Sequence, residues 1–170
     1  MAAGLKRTSA DFFISASVTE SAANTYTEDV ITLPLDSLSR EVFVITGIIF
    51  NPATPSRIAG TETAVQVQLT RNTTTAMQSL ADFNLIAEGN ETILSLTAEG
   101  QLVSKAYGNQ ILESGKDYLD VIATPNMYFA AQGSGNVGAT TSNARIYGYR
   151  AVADVSTYSA LVASELNAGQ

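Results

Sequence analysis

Carboxylates are the side chains of this sequence best suited to moving protons, and three pairs lie close together: Glu28 with Asp29, Glu88 with Glu91, and Asp117 with Asp120. Two acids facing a sugar across roughly 5–9.5 Å would serve glycoside hydrolysis, one as acid and one as nucleophile or base. All three pairs fall at or near expected strand ends and turns, where acids also serve solubility. None has a Trp platform beside it, because the sequence holds no Trp. It holds no His and no Cys either. Imidazole bases, thiolate nucleophiles, Ser-His-Asp triads and the two commonest soft metal ligands are therefore missing together. Asp117 and Asp120 with backbone carbonyls would suit calcium, but no D-x-D-x-D-G loop accompanies them. The expectation is a protein that is not an enzyme, with no catalytic, cofactor-binding or metal-binding residue.

Two other motifs bear on binding. Gly133-Ser-Gly-Asn-Val-Gly138 matches G-x-G-x-x-G after an expected strand. A dinucleotide site needs a helix N-terminus directly afterwards, to offer free N–H groups to the pyrophosphate. Here Ala139–Asn143 leads into another strand, so a hairpin loop is expected. Aromatic residues are the second resource, seven Tyr and six Phe. Tyr147 and Tyr149 fall on one strand face with Arg145 in phase, a surface for stacking a sugar or a protein partner. A contact between subunits is the preferred reading of that row.

Composition narrows the partners. Nine Lys/Arg against sixteen Asp/Glu give a net charge of −7. Direct nucleic-acid binding needs a clustered basic footprint, and only Lys6 and Arg7 adjoin one another. The N-terminal stretch Met1-Ala-Ala-Gly-Leu-Lys-Arg lacks the apolar core of a secretion signal, and no run is long enough for a transmembrane segment, so synthesis in the cytoplasm is expected. The sequons at Asn72 and Asn90 are what chance provides in a Thr-rich chain.

The elements that must position these groups read as strands. Residues 12–18 alternate, 26–35 carry Val30, Ile31 and Leu33, and 61–71 place Val65, Val67 and Leu69 inward with Gln66 and Gln68 toward water. Gly89-Asn90 is expected to turn into 92–98, followed by 102–107, 117–124, 127–132 and 143–152. Met77, Leu80 and Phe83, spaced near three, predict a short helix over 74–83. Val155, Tyr158, Leu161, Val162 and Leu166 predict a C-terminal helix over 155–166, with Asp154 and Ser156 as caps. With no βαβ alternation, the pattern is all-β: a two-sheet antiparallel sandwich or single jelly roll. One domain is expected over 11–153, between an arm at 1–10 and a tail at 154–170.

Glu41–Phe50 stands apart, because its apolar residues follow one another without polar alternation. Such a strand is buried on both faces, Val42, Val44 and Ile48 on one side and Phe43, Ile45 and Ile49 on the other. In a sandwich the second face needs a cover, and a partner subunit is the simplest one.

The segments Val-Ile-Ala-Thr-Pro-Asn, Met-Tyr-Phe-Ala-Ala-Gln and Ala-Arg-Ile-Tyr-Gly-Tyr-Arg, between Asp117 and Val152, resemble the final strands of small single jelly-roll viral capsid proteins. Upstream, Thr-Leu-Pro-Leu-Asp-Ser-Leu-Ser-Arg-Glu-Val-Phe-Val-Ile fits that family's early strands. The resemblance, spanning Tyr26 to Val152, implies a coat protein without a catalytic site, assembled in many copies into an icosahedral shell of the virion. Lacking a long basic arm, the chain is closer to major capsid proteins of bacterial and archaeal DNA viruses with an internal membrane. Implied partners are further copies of itself, a second capsid protein and that membrane layer, with no small-molecule substrate. Candidate contacts between copies are Val42, Val44 and Ile48, the row Arg145, Tyr147 and Tyr149, and Tyr158 and Leu161 of the terminal helix. The alternative is a carbohydrate- or receptor-binding sandwich of a spike, tail fibre or adhesin, using loops at 84–91 and 133–141.

Overall fold

Period-two alternation lays most of the chain down as strands, and turn residues fold those strands into two antiparallel sheets. The computed structural model describes residues 4–95, 102–107, 110–111 and 117–168. In chain order its strands are β1 (Leu5–Arg7), β2 (Phe12–Thr19), β3 (Thr27–Thr32), β4 (Glu41–Asn51), β5 (Glu62–Thr70), β6 (Leu85–Ser95), β7 (Leu102–Tyr107), β8 (Gln110–Ile111), β9 (Asp120–Ile122), β10 (Asn126–Ser134) and β11 (Thr141–Ala153). One helix, α1 (Val155–Ala168), follows. The first sheet has β11 and β4 at its centre. β2 and β1 lie along the free side of β11, and β8 and β9 along that of β4. The second runs β3-β10-β5-β6-β7.

The main core fills the space between the sheets. Phe43, Ile45, Ile48, Phe50 and Ile146 come from the first sheet, and Val67, Leu69, Met127 and Phe129 from the second. Phe50 and Phe129 stack with ring centroids 6.1 Å apart. At so tightly filled a site, truncating Phe129 to Ala would cost about 3–5 kcal/mol.

Unbroken apolarity in β4 has a specific cause. The register slips where Tyr147 pairs Gly47 and Gly148 pairs Ile45, leaving Thr46 as an extra residue in β4. This bulge switches which side chains face inward. Phe43 and Ile45 face the core before it, and Ile48 and Phe50 after it. Ile48 therefore lies inside the sandwich rather than on the Val42/Val44 face, and Ile49 takes the outer face. Gly148 is required opposite the bulge, since a Cβ there would lie 2.2 Å from the Val44 carbonyl oxygen and 2.7 Å from the Phe43 ring.

The cover expected from a partner subunit is supplied by the chain itself. Val42 and Val44 are 0% exposed in the single chain, in a second cluster with Val121, Ala123, Ala151 and Ala153. Tyr158, Leu161 and Val162 of α1, with Leu5 of β1, pack on that cluster. The helix begins as its sequence predicts: Asp154 Oδ1 accepts from the Thr157 amide at 2.7 Å and the Ser156 hydroxyl at 2.8 Å.

Other expectations need correction. No helix forms over 74–83. Gln68 reaches out of β5 to hold that loop, accepting from the Gln78 amide at 2.6 Å and donating to the Ala76 carbonyl. Asp82 takes the Asn84 amide, so side chains replace the helical hydrogen bonds. Gln68 is consequently fully buried and not wet. Gly89 lies inside β6 and makes no turn. It faces Phe50 and Val67, where a Cβ would meet carbon atoms at 3.1 Å. The strand expected over 92–98 is seen as far as Ser95, and 96–98 lie outside the described residues. Residues 1–3 of the expected arm and 169–170 of the tail lie outside them too. Within the arm, residues 5–7 pair with Ala153, Val152 and Ala151 of β11.

Candidate functional site: the outer face of the first sheet

Six residues of β11 point away from the core in steady alternation: Asn143, Arg145, Tyr147, Tyr149, Ala151 and Ala153. The last three lie in the cluster beneath α1. The first three form the wall of a shallow open trough that also takes in Ser15 and Ser17 of β2 and Ile49 and Asn51 of β4. Register sets them in rows across the sheet, Ser17–Asn143–Asn51, then Ser15–Arg145–Ile49, then Phe13–Tyr147–Gly47.

Alternation in β2 sends Phe13 outward, 53% exposed, while Phe12 and Ile14 pack on the core. The Arg145 guanidinium lies over the Phe13 ring, 4.6 Å from its centroid. Phe13 and Tyr147 meet at 6.1 Å with their planes tilted by 54°. Arg145 makes no ion pair or hydrogen bond among the described residues, and no carboxylate lines the trough. Its planar cation is stacked on Phe13, and its N–H donors have no acceptor among the described residues. On the covered side, Arg7 stacks on Tyr149 at 4.3 Å but is also paired with Asp11 at 2.9 Å.

No protein-family model matches this chain, and no curated protein matches it. The site is therefore read from its geometry.

Glu28, Asp120 and Glu88, one from each carboxylate pair, make contacts within the fold. Glu28 accepts from the hydroxyls of Tyr26 and Thr73 and from the Thr74 amide, tying β3 to the loop after β5. Neighbouring Asp29 points to the opposite side of β3. Asp120 meets Arg71 at 2.5 Å, and Glu88 accepts from the Tyr107 hydroxyl at 3.4 Å. Burial pushes the Asp120 carboxyl above its usual range against the opposing pull of Arg71. Burial likewise raises Tyr26. Asp36 is held low by the Ser39 hydroxyl and Asp154 by the Thr157 amide. The Gly133–Gly138 motif runs from β10 through a loop, with Gly135 at φ +70°, into β11, so no helix N-terminus meets it.

Two buried acids escaped the sequence reading. Glu20 receives the Gly133 amide at 2.7 Å and the Thr140 amide and hydroxyl at 2.9 and 2.8 Å, clamping the loop between β10 and β11. Glu165 receives the amides of Ala123 and Thr124 at 2.6 and 2.9 Å, locking α1 to the turn after β9. Glu20 reads as an ordinary turn acid and Glu165 as a polar helix position. For Glu165 the available signal was its place four residues beyond Leu161, on the apolar stripe of the helix.

Proposed function

We propose that this chain is a self-assembling coat subunit with a single jelly-roll fold, forming an icosahedral shell. The observation that carries the reading is the order of its strands. β2-β11-β4-β9 in one sheet lie against β3-β10-β5-β6 in the other, the arrangement two nested Greek keys produce. β1, β7 and β8 are additions to that eight-stranded plan.

A second feature supports assembly. Large apolar side chains stand exposed at loop tips, among them Leu38 at 94% and Phe83 at 87%, with Leu80 and Val137 beside them in kind. Contacts with neighbouring copies would cover these side chains. The contacts assigned to Val42, Val44 and Ile48 pass to these tips, because the fold already buries those three. With a charge of −7, the subunit forms a layer kept apart from the genome by an internal membrane or a second capsid protein.

Negative-stain micrographs of the purified chain test the reading. Closed particles of uniform size are expected. Leu80→Lys combined with Phe83→Lys is expected to leave folded subunits that no longer assemble, since both side chains already face solvent. Dispersed monomers at every concentration tried would overturn it.

A further inference from the structure

We propose that the open trough on the outer face of the first sheet binds an acidic sugar, a pyranose bearing a carboxylate. Charge comes first. In a chain with sixteen acids and nine cations, the trough contains one guanidinium and, among the described residues, no acid. Among the described residues no anion pairs with Arg145, which leaves its fork of parallel N–H donors for a bidentate carboxylate.

The surroundings fit a sugar ring. Tyr147, a lining residue braced by Phe13, offers an aromatic ring against which the C–H face of a pyranose can lie. Among the described residues, Asn143 and Asn51, opposite one another, and Ser15 and Ser17 make no hydrogen bond through their side chains, leaving amides and hydroxyls for the sugar's own hydroxyls. The site does not depend on assembly, and every copy would carry one.

Saturation-transfer NMR on the full chain, which works on monomers and particles alike, tests this with 3′-sialyllactose and trigalacturonate as probes and lactose as the neutral control. Transfer to at least one acidic probe at millimolar concentration is expected, and which one responds tells a sialic acid from a uronic acid source. Arg145→Gln should weaken that binding about tenfold or more, through loss of a charge-assisted pair. Arg145→Lys should fall between, keeping charge but not the fork. Asn143→Asp, exposed and harmless to the fold, should weaken the acidic probe by placing a like charge beside it. Equal binding of lactose, no transfer to either acid, or unchanged binding in Arg145→Gln and Asn143→Asp would each overturn the proposal. So would a finding that these variants alter only contacts between copies and bind no sugar.

Discussion

Along one strand, β11, the outer face of the first sheet is treated in two ways. Ala151 and Ala153 are buried in the cluster on which α1 packs, with Tyr149 half-buried at its edge, while Asn143, Arg145 and Tyr147 line the open trough. Residue size explains the division. Alanines at 151 and 153 and valines at 42 and 44 leave a flat seat on which a helix carrying Tyr158, Leu161 and Val162 can settle. At the other end Arg145, Tyr147 and Phe13 rise from the sheet and would hold any helix off. The same face is thus a structural seam at one end and an open trough at the other, and the bulge at Thr46 marks the boundary.

The matched substitution that breaks this comparison most sharply is in β4. Val44→Asp puts an unpaired carboxylate under α1 and should cost about 3–5 kcal/mol, enough to unfold a marginal domain. Ile49→Asp, the same change on the open half, should cost about 1 kcal/mol. Urea midpoints of the two variants measure the difference, and equal losses would remove the distinction between the halves. Next in size is Glu165→Ala, which strands the buried amides of Ala123 and Thr124 and should cost about 2–4 kcal/mol in the same assay.

Acid should loosen the helix cap of the covered half. The Asp154 carboxyl lies below its ordinary 3.8 in the folded protein because it accepts the Thr157 amide. Its contribution is therefore complete above 3.8 and is lost as pH falls through the lower folded value. Asp154→Asn, a neutral cap, should flatten that acid limb when helix content is followed by circular dichroism. Asp120 has the opposite sign. Burial raises its carboxyl, so its ionisation withdraws stability as pH climbs from 3.8 through the raised folded value. Asp120→Asn should remove that decline. The smallest effect is expected at the trough, where Tyr147→Thr should move stability by no more than about 0.5 kcal/mol.

Much of this was legible in the alternation itself. Strands β2 and β5 and the terminal helix with its Asp154 cap follow directly from residue periodicity, β3, β4, β10 and β11 from apolar runs bounded by turn residues, and the shared outward face of Arg145, Tyr147 and Tyr149 from their spacing of two. What stayed hidden depends on tertiary context. The bulge inserts one residue at Thr46 and makes an apolar run look doubly buried by strangers, when a parity switch and the chain's own helix account for it. Gly89 looked like a turn because its lack of a side chain serves close approach to Phe50 and Val67. The spacing of Met77, Leu80 and Phe83 looked helical, yet Gln68, an apparent surface residue, claims the backbone groups such a helix would use. Of the proposed site, Arg145 and Tyr147 were evident. Phe13, Asn51 and the absence of any nearby acid emerged only when β2, β11 and β4 were laid in register.

Sedimentation velocity over a wide concentration range tests the proposal that this chain builds shells. A shell-forming subunit gives a fast, narrow boundary from closed assemblies above a threshold concentration, beside a slow boundary of free subunits that stops growing there. A single slow boundary with the mass of one chain at all concentrations would contradict it.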